Sequence, residues 1–349
     1  MRNAKLTIQS NKAKFSASLL TSLVEDFPKA KILVIGDFIL DQFIWGDVSR
    51  ISPEAPIPVV FVEKKTFMLG GALNVVNNIH SLGAKVYPCG VVGKDSYGQI
   101  LLRELKKRKI EIGGVVIDKE RPTTLKTRII ARHQQVVRVD EEKTTPLSQN
   151  DFCQFLDYIK KKIREVDLVL IEDYGKGVIV PALLEEVIKL SRLDDKMITV
   201  DPKEEHFSYY EGVSAITPNY QEALKAVQSL CPRLRKDNLE DIGKKLLQRL
   251  KCKAVLITLG EKGMCLFEKG KISRIPTVAQ DVFDVSGAGD TVIAVFSLAL
   301  CAGATMQEAA HISNYAAGIV VGKVGISAVT PEELKEKIGY KSENKELEA

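Results

Sequence analysis

Short apolar runs rich in β-branched residues alternate with segments of helical periodicity through most of this 349-residue chain, and that alternation narrows the fold more than any other feature. Residues 31–35 read as a strand, 72–82 as a helix, 85–92 as a strand, and the residues after Asp95 as a helix. The rhythm returns at 167–171, 196–200, 254–258 and 264–267. Strands apolar throughout and separated by helices are those of a parallel sheet buried on both faces. The spacing predicts an α/β fold with a mostly parallel central sheet and helices on both faces. Ligands in such folds bind outside the carboxyl ends of the strands. Asp37, Asp173, Asp201 and Thr258 stand there and become site candidates.

Two stretches interrupt the rhythm, at about 38–64 and 115–141, the second a pair of strand-like segments meeting near His133. A small β appendage accounts for both, placed to act as a lid that excludes water from a site at the strand ends. Residues 30–335 then form the main domain. Residues 1–29 are expected to be an amphipathic helical extension, because Phe15, Leu19, Leu23 and Phe27 recur every four residues among polar neighbours. Residues 336–349 read as a polar tail.

Composition removes several classes of function. The net charge of +5 comes from 50 basic and 45 acidic residues spread along the chain, which argues against nucleic acid as a partner. The runs 106–109 and 160–162 are expected to be solvated helix faces. Cys89, Cys153, Cys231, Cys252, Cys265 and Cys301 have neither a C-x-x-C spacing nor a close pair, so no zinc site or disulfide framework is indicated. The longest apolar run, 292–304, is too short to span a bilayer, and the expected location is the cytoplasm.

The strongest chemical signal is Asp284-Val-Ser-Gly287-Ala288-Gly289-Asp290-Thr291 at the head of that apolar run. Small residues let the backbone approach an anion, and a helix beginning there turns unpaired N–H groups and its positive dipole end toward it. Asp290 lies in the first turn, where an ionised carboxylate accepts a proton from an attacking hydroxyl. A second glycine pair, Gly70-Gly71, opens a helix bearing Asn74, whose amide suits sugar hydroxyls. No G-x-G-x-x-G follows the first strand and no Walker A sequence occurs.

On these residues the chain resembles the ribokinase (PfkB) carbohydrate kinases. The segment from Gly70 to Gly98 looks like their first signature, Asp284 to Ser297 like the second, and Asn219-Tyr-Gln-Glu222 like their N-x-x-E element. The resemblance implies a ribokinase-like three-layer fold with a β lid, and ATP with Mg²⁺ as the phosphate donor. Asn219 and Glu222 would hold the metal through water, Thr258, Gly260 and Gly263 would line the nucleotide site with Gly287 and Gly289, and Asn314 would lie near the adenine.

Within that superfamily, Ser49-Arg-Ile-Ser-Pro-Glu-Ala-Pro-Ile-Pro-Val-Val60, Arg121-Pro-Thr, Lys126-Thr-Arg128, Arg132-His-Gln-Gln135, Arg138-Val-Asp140, Asp173-Tyr-Gly-Lys-Gly177 and Asp201-Pro-Lys203 together resemble the D-glycero-D-manno-heptose-7-phosphate kinases. That implies phosphorylation of the anomeric C1 hydroxyl to give the 1,7-bisphosphate, a step in ADP-heptose synthesis for lipopolysaccharide core. It also implies a homodimer clasped through the lid and a separate nucleotidyltransferase in the same pathway. Lys126, Arg128, Arg132, Arg138, Lys176 and Lys203 exceed what a neutral sugar requires and suit a sugar phosphate, with Asp37, Gly70, Gly71 and Asn74 also on the acceptor side. Three positions depart from the pattern: His133 where Asn is common, Glu172 where Ser is common, and 325–328 in place of a hydroxyl-rich turn, so no monovalent-cation site is expected. The rival readings are a PfkB kinase for fructose, ribose or a ketodeoxy sugar acid, and a catalytically silent sugar sensor.

Overall fold

The computed structural model describes residues 15–347 except 133, 231–237, 280, 324 and 326, so His133, Cys231, part of the 325–328 turn, the first 14 residues and the last two lie outside the described residues. The strands are β1 (Lys31–Gly36), β2 (Phe38–Ile51), β3 (Pro58–Gly71), β4 (Lys85–Gly93), β5 (Gly114–Asp118), β6 (Leu125–Ala131), β7 (Gln134–Glu141), β8 (Leu168–Glu172), β9 (Met197–Asp201), β10 (Ala215–Ile216), β11 (Ala254–Thr258), β12 (Met264–Glu268) and β13 (Lys271–Ile275). The helices are α1 (Ala17–Glu25), α2 (Ala72–Ser81), α3 (Ser96–Lys107), α4 (Gln149–Lys162), α5 (Pro181–Leu193), α6 (Tyr220–Leu230), α7 (Leu239–Leu250), α8 (Ala288–Cys301), α9 (Met306–Val320) and α10 (Pro331–Leu347).

Among the described residues the central sheet runs β13-β12-β11-β10-β9-β8-β1-β4-β5, and all its pairs are parallel except β11–β12 and β12–β13. Its strands are apolar on both faces because both are covered. In β1, Ile32 and Val34 join one core with α2, α8 and α9, while Leu33 and Ile35 join the other with α4, α5, α6 and α7. Each such side chain, fully buried, contributes about 1.5–3 kcal/mol. Helix α8 is buried on every side from Asp290 to Leu300, which explains a run with no polar face. No helix among the described residues is long and apolar enough to cross a membrane.

Three details differ from the sequence reading. Strand β5, expected in the appendage, pairs in parallel with β4 at the edge of the central sheet, where Val116 is buried. Helix α1 buries Leu20 and Val24 and leaves Leu19 41% exposed, because it packs on α10, into which residues 336–347 of the supposed polar tail continue. Leu334 and Ile338 of α10 enter the same core, so the two chain ends cover each other. Lys162, at the end of a run read as solvated, is buried, pairs with Glu165 at 2.9 Å and sits 4.2 Å from the centre of the Tyr87 ring.

The β appendage is a second sheet in the order β3-β2-β6-β7, with β2 and β6 parallel. Alternation puts Asp41, Phe43, Lys126, Arg128, Arg138 and Asp140 on one face, since Asp41 registers with Lys126, Phe43 with Arg128 and Arg128 with Arg138. The opposite face carries Phe67, Val137 and Val139, which are exposed.

Candidate active site

Gly287, at φ +76°, turns the chain into α8 in a backbone conformation that costs an L-residue roughly 1–2 kcal/mol. That turn delivers Asp290 into the sheet's carboxyl edge, where its side chain is 5% exposed. The Asn74 amide donates to Asp290 Oδ2 at 2.6 Å and the Tyr174 hydroxyl to Oδ1 at 2.9 Å. Burial pushes the Asp290 carboxyl above its usual range, against the two hydrogen bonds, which favour the ionised form; nearby Asp41 adds to the rise. A buried carboxyl whose proton affinity is raised is chemically suited to accepting a proton near neutral pH.

The Asn74 end of this contact depends on Gly70 and Gly71. A Cβ at Gly70 would lie 2.0 Å from Asp41 Oδ2, and Gly71 caps α2 at φ +56°. Asn78 donates to the Asn74 backbone carbonyl at 3.0 Å and accepts from the Thr291 hydroxyl at 3.2 Å, locking α2 to α8. Asp37, a candidate for acceptor contact, is turned to the backbone: it accepts N–H groups from Tyr174, Lys176 and Val178 at 2.9, 3.0 and 3.2 Å. Burial, with the Asp173 charge, pushes its carboxyl up to about 6. These hydrogen bonds fix the loop that carries Tyr174 and Lys176.

The cations of the β appendage and the strand-end loops divide into two groups. Arg128 is bonded to Asp41 and lies over the Phe43 ring, Lys126 contacts Asp140 at 2.9 Å and Glu142 at 3.6 Å, and Lys176 reaches Glu142 at 2.7 Å. Arg138 joins through Asp140 at 3.0 Å. Lys126, Arg138 and Lys176 thus share the carboxylates of Asp140 and Glu142, while Arg128 is held by Asp41, whose charge acts on Asp290. Arg132 stands apart: it pairs with Asp47 at 2.6 Å, is 69% exposed, and lies four residues beyond Arg128, a strand distance of about 13 Å. Lys203 pairs with Glu205 at 3.4 Å, and its charge partly offsets the rise that burial gives the Glu222 carboxyl, which places it near the N-x-x-E element.

Asn219 and Glu222 cap the start of α6. Asn219 Oδ1 accepts the N–H groups of Gln221 and Glu222 at 2.9 and 3.0 Å, and Glu222 Oε2 accepts that of Asn219 at 2.8 Å. Asn219 thus acts as the residue that fixes Glu222. Thr258, Gly260, Gly263, Ala288, Gly289 and Asn314 all border one cleft of about 440 Å³ that ends at the α8 turn. The Asn314 amide is directed to the Pro276 carbonyl at 2.9 Å.

Tyr174, Glu172 and Asp41 were not among the residues singled out for the site. Tyr174 and Glu172 flank Asp173 at the end of β8, so the strand-end rule that flagged Asp173 also covers them. Asp173 itself is used structurally, accepting from the Tyr210 hydroxyl at 2.6 Å and lying 2.8 Å from His206 Nδ1. Asp41 was legible as a lone acid in the apolar run 38–45, where burial demands a cationic partner.

Residues 29–333 match the model of the pfkB family of carbohydrate kinases. Two curated relatives, each named bifunctional protein HldE, are 46% identical over 307 residues in Helicobacter pylori strain J99 and 43% identical over 328 residues in Desulfatibacillum aliphaticivorans. These alignments cover 87% and 92% of this chain but 65% and 67% of the relatives, so the chain spans about two thirds of their length. Among solved structures, Arabidopsis thaliana ribokinase complexed with ribose and ATP has a TM-score of 0.68 at 19% identity, covering 88% of this chain and 98% of that one. Phosphofructokinase-2 from Escherichia coli has a TM-score of 0.72 at 17% identity, covering 90% and 99%. The last two establish the ribokinase-like fold, and the family match with nearly half of the aligned positions identical in the first relative goes further: this chain belongs to the pfkB family of carbohydrate kinases.

Proposed function

We propose that the protein transfers the γ-phosphoryl group of ATP to the anomeric hydroxyl of D-glycero-D-manno-heptose 7-phosphate, giving the 1,7-bisphosphate for ADP-heptose and lipopolysaccharide core synthesis. The observation that carries this reading is the set of cations on one face of the β appendage and the loop after β8, with Arg128 on Asp41, whose charge acts on Asp290, and Lys126, Arg138 and Lys176 on Asp140 and Glu142. Four cations at the acceptor end, satisfied by the carboxylates of Asp41, Asp140 and Glu142, fit a phosphate dianion that competes for the same seats. A neutral sugar needs hydroxyl partners, not a cationic cage.

The nucleotide occupies the cleft between Asn314 and the α8 turn, its terminal phosphates meeting the backbone N–H groups there. The acceptor oxygen bonds to the γ-phosphorus as the bond from phosphorus to ADP breaks, and the hydroxyl proton passes to Asp290. Tyr174 and Asn74 orient the carboxylate for that transfer. Mg²⁺ fits the donor set, since Glu222 and Asp201 offer the hard oxygens it prefers near that turn and the pKa of Asp201 is raised by Glu222, after burial. When bound, the ion neutralises charge on the transferred phosphate.

The test is a substrate panel at fixed ATP and magnesium, comparing the heptose 7-phosphate with dephosphorylated heptose, fructose, ribose, a ketodeoxy sugar acid and fructose 6-phosphate. The heptose phosphate is expected to have the highest kcat/KM. A neutral hexose or pentose ranking above it would overturn the acceptor assignment and leave the carbohydrate kinase standing. No ATP turnover with any acceptor would favour the silent sensor.

The same reading pairs two copies through the lid face bearing Phe67, Val137 and Val139, since exposed apolar residues on one sheet face suit a matching face. Sedimentation should give twice the chain mass, and Val137→Asp should return it to the monomer value. A monomeric wild-type chain would rule the clasp out.

A further inference from the structure

Arg121 has no part in the transfer described above, yet its side chain, 5% exposed, is buried more deeply than any of the six cations near the site. Its Nε lies 3.6 Å from Asp118 Oδ2 and has no hydrogen-bond partner among the described residues. The other two nitrogens donate to backbone carbonyls, Nη1 to Lys176 at 2.7 Å and Nη2 to Thr145. A guanidinium taken out of water with a long ion pair and an unmet N–H adds little to stability, because desolvation opposes the attraction.

What the side chain does supply is geometry. Arg121 lies between β5 and β6, Thr145 between β7 and α4, and Lys176 in the loop after β8, so one planar fork joins three separate segments. The last two segments touch: Gly177 stands at φ +85°, and a Cβ there would lie 2.2 Å from the Thr145 carbonyl oxygen. From the other side, Asp37 accepts the N–H groups of Tyr174, Lys176 and Val178. Lys176 is therefore held by both of its backbone polar groups, the N–H on Asp37 and the carbonyl on Arg121. Two residues earlier the same loop carries Tyr174, whose hydroxyl donates to Asp290.

We propose that Arg121 is a positioning residue for the transfer: by holding the Lys176 and Thr145 carbonyls together, it fixes the loop after β8 where the Tyr174 hydroxyl meets Asp290. Asp37 alone secures the N–H side of the loop and leaves the carbonyl side free to tilt away. The inference rests on Asp290 as the base and is independent of which acceptor is phosphorylated.

Arg121→Met strands the Asp118 charge and is expected to melt lower than wild type. Arg121→Lys is therefore the variant to measure, since it keeps the charge and lacks the fork that spans both carbonyls. With whichever acceptor ranks first in the substrate panel, Arg121→Lys should lower kcat by roughly tenfold and leave the KM for ATP within about twofold. In a Tyr174→Phe background the same change should cost less than about twofold in kcat, because the hydroxyl through which it acts is already gone. Hydrogen exchange read by mass spectrometry should quicken in the peptide covering residues 174–178, with α8 and the central strands as protected as in wild type. The proposal is overturned if Arg121→Lys keeps kcat within about twofold of wild type, if its cost multiplies in full with that of Tyr174→Phe, or if exchange at 174–178 is unaltered. Faster exchange throughout the chain would make Arg121 a residue of general stability and sink the proposal equally. The base is tested separately by Asp290→Asn and the acceptor by the substrate panel, so a failure of either reading is told apart from a failure of this one.

Discussion

Asp290→Asn is expected to lower kcat by on the order of 10²–10⁴ while leaving the dissociation constants for nucleotide and acceptor nearly unchanged. The carboxylate accepts hydrogen bonds from Asn74 and Tyr174 and is buried at the α8 turn, so an isosteric amide fills the space but cannot take the proton. The protein should also melt no lower than wild type, since one of several crowded acidic groups becomes neutral. Turnover within about threefold of wild type would remove Asp290 from the chemistry. A companion variant reads the base itself. Asp290 must be deprotonated to act, and its pKa is raised, so kcat/KM falls as pH drops through that raised value. Tyr174→Phe deletes a donor that favours the ionised form, so the acid limb should move to higher pH. An unmoved limb would mean that another group sets it.

Arg128→Ala is expected to raise the KM for the sugar phosphate by roughly ten- to a hundredfold, with the KM for ATP almost unchanged, because a charge-assisted contact to phosphate is worth about 1.5–3 kcal/mol. Arg132→Ala serves as the contrast. Both arginines lie on the same stretch of chain, yet Arg132 is 69% exposed and tied to Asp47 near the end of β6, and its loss should change either KM by less than about twofold. Equal effects of the two changes would mean that the phosphate is not bound at the Asp41 end of the lid. Since Arg128→Ala also strands Asp41, which is 4% exposed, thermal melting must accompany the kinetics, and Arg128→Lys restores a cation without the guanidinium geometry. Partial recovery of acceptor affinity by Lys, with the melting temperature restored, would separate charge from packing.

The alternation of apolar strands and helices was enough to read a parallel sheet with helices on both faces, because burial on both sides leaves continuous apolar runs in β1, β8, β9 and β11. The glycine turn before α8 was equally legible, since positive φ and a close backbone approach leave a local mark in composition. Contacts between residues distant in sequence were not legible. Asn74 and Tyr174 meet Asp290 across 216 and 116 positions, and spacing along one element carries no trace of such a meeting. The same holds for α1 and α10, each of which looks like a loose end until the other covers it. Charge is read from sequence as a count, whereas its use depends on which strand face and which end of the strand each side chain occupies. Six cations could be named from the chain alone. Only the pairing of β2, β6 and β7 separated Arg128, held on Asp41, from Arg132 in solvent, and only the register of β8 with β9 set Glu172 against Asp201.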